Sequence, residues 1–180
     1  KLDDYHNWWI IYPVTLEFYP ENACNARCAG CPTPWRTENA RLDFSTIEKL
    51  FRDVAWKTRW IYISGGWEPT LHPQFPDILQ CARDSGFEDV VMITNGTQLE
   101  RPEIQNAILR YADSVRVSLN SVDNDGHKRV YGMSFWTFDQ VCRGIRSLRE
   151  KRDSTGSKTQ IGIATLTNWR MTKEVGPFYD

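Results

Sequence analysis

The sequence predicts an α/β domain in which a parallel sheet is wound as an incomplete barrel. From residue 14 onward, short β-branched runs alternate with segments whose apolar residues recur every three or four positions, which is typical of consecutive βα units. Polar or cysteine-containing segments follow one strand after another, at the strand ends where β/α barrels place their functional residues. A doubly wound open sheet is the competing arrangement, because the sequence does not fix the strand order.

Five predicted strands define these units. They cover about residues 14–18, 60–64, 90–94, 114–120 and 159–168. The cysteine-rich loop follows the first strand, and GGWEP, TNG, SLN and LTN come at the ends of the others. If the strands are parallel, all five segments meet at one edge of the sheet.

Four helices are predicted between the strands. The first begins near residue 45, because Ser45 and Glu48 have the spacing of a capping box. Gly86 is expected to end the second helix. The second, third and fourth are expected over about residues 76–85, 104–111 and 137–151, with a polar loop over 151–158.

The composition is that of a globular protein with one core. Of 180 residues, 41% are hydrophobic, and 22 Lys and Arg against 23 Asp and Glu leave a net charge of -1. Nucleic acid is therefore not supported as a partner. No apolar run approaches the roughly 18 to 20 residues that cross a bilayer, and no signal peptide is recognisable, so a cytoplasmic protein is expected. Residues 1–13 are interpreted as a lead-in and residues 14–180 as one domain, incomplete at its C-terminal end.

Three of the five cysteines fall in the segment CNARCAGCP, where Cys24, Cys28 and Cys31 have the spacing C-x3-C-x2-C. Thiolates this close in sequence suit an iron-sulfur cluster or zinc. Zinc ordinarily needs a fourth protein ligand, and the nearest histidine, His72, lies beyond the second strand. A four-iron cluster held by three cysteines instead leaves one iron open to a small molecule.

The cysteine spacing and its place after the first strand resemble the signature of the radical S-adenosylmethionine (radical SAM) superfamily, and the resemblance covers about residues 14–168. It implies a partial (β/α)6 TIM-like barrel and a [4Fe-4S] cluster on Cys24, Cys28 and Cys31. It also implies reductive cleavage of SAM to a 5'-deoxyadenosyl radical, which takes a hydrogen atom from a substrate. That substrate is expected to be a small metabolite, such as a sugar or nucleoside, or a peptide. The electron donor would be a protein such as flavodoxin or ferredoxin.

The segment SGGWEPTLHP is similar to the glycine-rich segment that contacts the methionine amino group in this family. The resemblance assigns Gly65, Gly66, Glu68 and Pro69 to this role. Glycine lets backbone approach a ligand closely, and a carboxylate can hold an ammonium group. Trp67 stands where a third glycine is common, and it is expected to narrow the pocket, to stack on the substrate or to serve packing.

The resemblance also supplies candidates for the rest of SAM. Ser118 and Asn120 fall where the family binds the ribose hydroxyls, and Asn95 and Asn168 where related enzymes line the SAM pocket. The alternative for these four is ordinary hydrogen bonding at strand ends and turns. Gly30 stands where many relatives have an aromatic residue that packs on the adenine, so this contact is expected to differ.

The remaining thiols and imidazoles have no partners at metal-binding or triad spacing. Cys81 and Cys142 lie on apolar helix faces and are predicted to serve packing, and His6, His72 and His127 are predicted to lie at the surface or in loops. The alternative function is a non-catalytic zinc or iron-sulfur binding module on an α/β scaffold.

Overall fold

A computed structural model describes residues 12–31, 33, 40–65, 67–133, 135 and 137–166. Within these residues, one parallel sheet has the strand order β1-β2-β3-β4-β5. The strands are β1 (Thr15–Phe18), β2 (Trp60–Ile63), β3 (Asp89–Thr94), β4 (Ser114–Ser118) and β5 (Gln160–Ala164).

The sequential strand order decides between the two predicted arrangements. A doubly wound sheet reverses its order at a switch point, whereas these strands follow one another without reversal. Among the described residues β1 and β5 do not pair, so the sheet is an open part of a barrel. The predicted partial barrel is therefore confirmed.

Five α-helices and one 3-10 turn connect the strands within the described residues. They are α1 (Phe44–Val54), a 3-10 helix (Pro69–Leu71), α2 (Phe75–Asp84), α3 (Pro102–Tyr111), α4 (Asn124–Tyr131) and α5 (Phe138–Thr155). None of these helices combines the length and the apolar character needed to cross a membrane.

The sequence analysis missed α4 completely. Its ends carry ordinary signals, since Asp123 caps the first turn through Gly126 N at 2.6 Å and Gly132 ends the helix at φ 60°. Its interior is short and mostly polar, and only Gly126, His127 and Tyr131 are buried. So few buried residues give too weak a helical periodicity to be recognised against the surrounding polar segment.

Two helix ends also differ from prediction. The N-cap of α1 is Asp43, whose carboxylate accepts from Thr46 N at 2.9 Å and from Ser45 Oγ at 2.6 Å, so the predicted Ser45–Glu48 capping box is wrong. A capping box does begin α5, at Thr137. This helix runs on to Thr155, through most of the predicted polar loop, because polar side chains outside the core still allow a helix.

The two faces of the sheet differ in burial. Alternate residues of the strands pack under the helices, as where the rings of Phe18 and Phe51 lie 4.8 Å apart. Each such aromatic or aliphatic side chain contributes about 1.5–3 kcal/mol when it is fully buried. The opposite face, which is the inner face of a barrel, carries polar side chains such as Glu17, Arg116 and Ser118 that are partly or fully exposed.

Candidate functional site

The three clustered cysteines lie in the loop that follows β1. Each is a partly exposed thiol. The loop turns between Cys28 and Cys31, where Cys31 N donates to Cys28 O at 3.2 Å, and Ala26 N donates to Cys24 Sγ at 3.4 Å. Ala26 is fully buried against Tyr131 and Met133, so the loop has a small apolar base of its own.

The end of α4 supports this loop through backbone hydrogen bonds. Arg27 N donates to Tyr131 O at 2.7 Å, and Ala29 N donates to Val130 O at 3.0 Å. The last carbonyls of a helix have no partner within the helix, so they are available to hold a neighbouring segment. Gly132 permits the close approach, because a Cβ there would lie 2.9 Å from Arg27 O. The conformation of the cysteine loop thus depends on a helix that was not predicted.

Glu68 is the centre of a buried hydrogen-bond network, with 1% of its surface exposed. Its Oε1 accepts from Thr70 N at 3.2 Å, Thr70 Oγ1 at 2.5 Å and Thr94 Oγ1 at 2.7 Å. Its Oε2 accepts from Asn95 N at 2.7 Å. Burial raises the pKa of Glu68, and these four donors act in the opposite direction. Through these bonds Glu68 caps the 3-10 helix Pro69–Leu71 and ties it to the end of β3.

The GGWEP loop also contacts the segments around β1. Glu68 N donates to Ala23 O, next to the first cysteine, at 3.0 Å. Gly65 has φ 126°, and a Cβ there would lie 2.6 Å from a ring carbon of Tyr19. Glycine is therefore required at this position by both the backbone and its neighbour. The predicted contact residue Gly66 lies outside the described residues, whereas Trp67 is described and partly exposed.

Tyr19 is a residue at this edge that the sequence analysis did not identify. Its ring covers Gly65 and is 45% exposed, and its hydroxyl donates to Glu17 Oε2 at 2.7 Å. This hydrogen bond raises the pKa of Tyr19. An aromatic residue directly after the first strand was the available signal, but nothing in the local sequence indicates that it reaches the next loop.

Asn95 is directed toward the cysteine loop. Its Nδ2 donates to Asn25 Oδ1 at 2.8 Å, and Asn25 Nδ2 donates to Thr97 Oγ1 at 2.8 Å. Thr97 Oγ1 in turn donates to Asn95 Oδ1 at 2.7 Å. The end of β3 and the cysteine loop are therefore joined by side chains, although Asn25 and Thr97 were not predicted as site residues.

Ser118 and Asn120 lie where β4 ends. The hydroxyl of Tyr131 donates to Ser118 O at 2.7 Å and accepts from Asn120 N at 2.9 Å. Asn120 Oδ1 accepts from Leu166 N at 2.7 Å, which leaves its amide NH2 group for other partners. Asn168, the other predicted pocket residue beyond β5, lies outside the described residues.

Gly30 is exposed, and a Cβ built there would meet nothing within 4 Å. The surface of the loop is therefore open beside the third cysteine. The fold has room for a side chain here, so glycine at this position is not required by steric restriction.

The remaining cysteines pack as predicted, whereas of the histidines His127 does not lie as predicted and His6 is outside the described residues. Cys81 and Cys142 are partly buried against the core, and burial raises the pKa of both thiols, which keeps them protonated. His127 is fully buried within α4 and stacks on Tyr131 at 4.4 Å, so its prediction as a surface or loop residue is wrong. His72 is in a loop but only 2% exposed, with Nε2 3.1 Å from Leu42 O.

The donor set fits an iron-sulfur cluster. Among the described residues, no three or more His, Cys, Asp or Glu side chains converge on a position for a single metal ion. A four-iron cluster does not need such convergence, because each thiolate binds a different iron. Three partly exposed thiols on one supported loop therefore suit a cluster whose fourth iron takes a non-protein ligand.

Comparison of the sequence with known proteins finds a matching family and several relatives. The family model described as "Radical SAM superfamily" matches residues 19–170. The GTP 3',8-cyclase of Chlorobaculum tepidum is 33% identical over 130 residues, which are 71% of this chain and 38% of that protein. A protein of Pyrococcus furiosus described as a tungsten-containing aldehyde ferredoxin oxidoreductase cofactor-modifying protein is 25% identical over 162 residues, 86% of this chain and 45% of its own length. The chain thus spans less than half the length of these curated relatives.

A solved structure shares the fold. Streptococcus suis SuiB bound to S-adenosylmethionine superimposes with a TM-score of 0.70 at 19% identity, over 93% of this chain and 38% of SuiB. SuiB has also been solved with its precursor peptide SuiA. At this level of identity the likeness establishes a common fold.

Proposed function

The chain belongs to the radical SAM superfamily, and on that premise we propose that it forms the catalytic core of a radical SAM enzyme. Cys24, Cys28 and Cys31 would hold a [4Fe-4S] cluster, and the neighbouring strand ends would bind SAM. When bound and reduced, these cofactors supply the 5'-deoxyadenosyl radical that abstracts a hydrogen atom from the substrate. The chain itself orients the cofactors and the substrate and keeps water away from them.

One observation carries this proposal: the loops after β1, β2 and β3 form a single hydrogen-bonded unit. Ala23 O accepts from Glu68 N at 3.0 Å, Glu68 Oε2 accepts from Asn95 N at 2.7 Å, and Asn95 Nδ2 donates to Asn25 at 2.8 Å. The cysteine segment and two segments proposed for SAM are therefore fixed relative to one another. A cofactor that must chelate an open iron needs this kind of preorganised geometry.

We assign the methionine amino group to the GGWEP loop. Backbone groups of Gly65 and Gly66 would bind this amino group, and Glu68 would act by fixing the conformation of the loop through its four hydrogen bonds. Pro69 is the first residue of the 3-10 helix that follows this loop and fixes its C-terminal end. The carboxylate thus acts mainly through the shape of the loop, because 1% exposure leaves it little direct access to a ligand.

The ribose and adenine contacts are assigned to the other strand ends. The Ser118 hydroxyl and the Asn120 amide NH2 group would bind the ribose hydroxyls. Asn95 and Asn168 would line the pocket, with Asn95 acting through its backbone since its side chain is held by Asn25 and Thr97. The surface beside Gly30 would leave the adenine without a stacked side chain there.

The reaction needs a reductant and a substrate. We propose flavodoxin or ferredoxin as the electron donor and the cytoplasm as the place of action, since reduced thiols require a reducing compartment. The substrate is proposed to be a small metabolite, such as a sugar or nucleoside, or a peptide. The relative named GTP 3',8-cyclase supports the nucleoside, and the fold shared with SuiB, solved with its precursor peptide, supports the peptide.

Anaerobic reconstitution with iron and sulfide, followed by dithionite and SAM, tests the proposal. The wild-type chain should bind about four irons and release 5'-deoxyadenosine. Cys28→Ala should release none, whereas Cys142→Ala is the matched control, because Cys142 packs against the core away from the loop. Release of 5'-deoxyadenosine by Cys28→Ala would contradict the cluster assignment. One zinc per chain without labile sulfide would instead favour a non-catalytic metal-binding module.

A further inference from the structure

We propose that Asn25 is a positioning residue, whose side-chain amide locks the cysteine loop to the end of β3 and thereby sets the place of the cluster relative to SAM. This inference rests on the proposed function, since it concerns the same cofactors. It adds to the site a residue that binds neither iron nor SAM.

The geometry is a closed triangle of side chains. Asn95 Nδ2 donates to Asn25 Oδ1 at 2.8 Å, Asn25 Nδ2 donates to Thr97 Oγ1 at 2.8 Å, and Thr97 Oγ1 donates to Asn95 Oδ1 at 2.7 Å. Each group that donates also accepts within the ring, so each hydrogen bond orients and strengthens the next. Asn95 is 9% exposed and Thr97 is 4% exposed, which limits the access of water to these bonds.

Two of the three members are fixed to the sheet. Thr97 N donates to Asn95 Oδ1 at 3.0 Å, and Asn95 N donates to the buried carboxylate of Glu68 at 2.7 Å. The third member, Asn25, lies directly after Cys24 in the loop. The triangle therefore fixes the cysteine segment relative to the end of β3.

The position requires a primary amide of this length. The oxygen and nitrogen of Asn25 reach an Asn95 donor and a Thr97 acceptor at the same time, both at 2.8 Å. Aspartate could not donate to Thr97, and alanine would remove the acceptor of Asn95 Nδ2 and the donor to Thr97 Oγ1.

The cysteine loop is consequently held from two sides. On one side α4 accepts from Arg27 N and Ala29 N, and on the other side the triangle holds Asn25. Displacement toward solvent on the β3 side must break the two partly buried hydrogen bonds of Asn25. Their loss is expected to shift the equilibrium between the held loop and the displaced loop about tenfold toward the displaced loop.

The test compares Asn25→Ala and Thr97→Val with the matched control Thr159→Val. Thr159 is also 4% exposed, and its hydroxyl donates to Ala112 O at 2.9 Å, at the opposite edge of the sheet. In the metal-free protein, amide hydrogen exchange over residues 24–31 should rise in the first two variants and not in the control. After reconstitution, Asn25→Ala and Thr97→Val should keep their iron and bind SAM about tenfold more weakly than the wild type. The change that SAM causes in the EPR spectrum of the cluster should also differ from that of the wild type.

Three outcomes decide the matter. Equal effects of Asn25→Ala and Thr97→Val, without further loss in the double variant, would support the triangle as one unit. A second possible result is that Thr97→Val keeps wild-type SAM affinity and wild-type amide hydrogen exchange in the cysteine loop, with a melting temperature lowered as in Thr159→Val. That result would overturn the positioning role and leave the proposed function intact. A wild-type protein that assembles no cluster would overturn both.

Discussion

The hydroxyl of Tyr131 donates a hydrogen bond to the carbonyl oxygen of Ser118 across 2.7 Å. Tyr131 is 1% exposed, and its own carbonyl accepts from Arg27 N in the cysteine loop at 2.7 Å. One buried residue thus connects the end of β4, where the ribose is proposed to bind, with the loop that carries the three thiols: its side chain binds β4 and its backbone carbonyl binds the loop. Burial raises the pKa of this phenol, so the hydroxyl remains a donor throughout the ordinary pH range.

Replacing Tyr131 by Phe should therefore reduce the free energy of unfolding by about 1–3 kcal/mol, because Asn120 N and Ser118 O both lose a partly buried hydrogen bond. Urea denaturation measures this difference. Tyr62→Phe is the control, since its hydroxyl makes no hydrogen bond among the described residues, and it should change stability by less than about 0.5 kcal/mol. Equal effects in the two variants would show that the Tyr131 hydroxyl has no special role.

Gly65→Ala should destabilise the protein through two separate effects. The backbone at φ 126° disfavours any Cβ, and the new methyl group would overlap the Tyr19 ring at 2.6 Å. Gly86→Ala isolates the first effect, because Gly86 has φ 96° and nothing within 4 Å of a Cβ, and it should cost about 1–2 kcal/mol.

Thermal or urea unfolding should show a larger loss for Gly65→Ala than for Gly86→Ala. Adding Tyr19→Ala should remove the overlap but not the backbone strain, so Gly65→Ala should cost less in that background. If Gly65→Ala costs no more than Gly86→Ala, the ring of Tyr19 moves aside freely and does not constrain the GGWEP loop.

Glu68→Gln should loosen the link between the GGWEP loop and β3. Four hydrogen-bond donors converge on the carboxylate, and a carboxamide offers them one oxygen and adds a competing NH2 group. Stability should fall by about 1–3 kcal/mol in urea denaturation, and SAM binding should weaken with it. Glu100→Gln, which breaks only an exposed ion pair with Arg143, is the control and should lie within about 1 kcal/mol of the wild type. If Glu68→Gln keeps wild-type stability and wild-type SAM binding, the carboxylate does not have its proposed role in the site.

Asp43 should titrate well below an ordinary aspartate. Hydrogen bonds from Ser45 and Thr46 to its carboxylate lower its pKa from 3.8 to about 2. A folded-state pKa below the unfolded one contributes stability that is present above pH 3.8 and lost as the pH falls through about 2. The stability advantage over Asp43→Asn should therefore disappear in that window. Carboxyl carbon NMR would contradict the cap geometry if Asp43 titrated near 3.8.

Local patterns were sufficient for most of the scaffold. β-branched runs identified each strand within a few residues, and apolar periodicity identified α1, α2, α3 and α5. The cysteine spacing identified the family, which the family match confirms. These features depend on neighbours within one turn or one strand, so the sequence alone contains the required information.

The miss of α4 shows the limit of local patterns. Helix formation there depends on the burial of Tyr131 against the cysteine loop and on its hydrogen bond to the end of β4, and a polar octapeptide carries little sign of either contact. The cap at Asp43 was missed because Asp43, Ser45 and Thr46 lie close together in the sequence there. Several positions could accept from the first-turn N–H groups, and only the backbone conformation selects one of them.

The amino-acid sequence by itself determined which residues are candidates for the chemistry: three thiols at cluster spacing, a glycine-rich loop with a carboxylate, and polar residues at successive strand ends. The tertiary structure alone decided what those residues contact. Asn25, Asn95 and Thr97 meet although residues 25 and 97 are 72 positions apart, and Glu68 reaches Asn95 across 27 positions. Contacts between distant segments arise from the parallel register of the strands and the packing of the helices, and no local pattern records them.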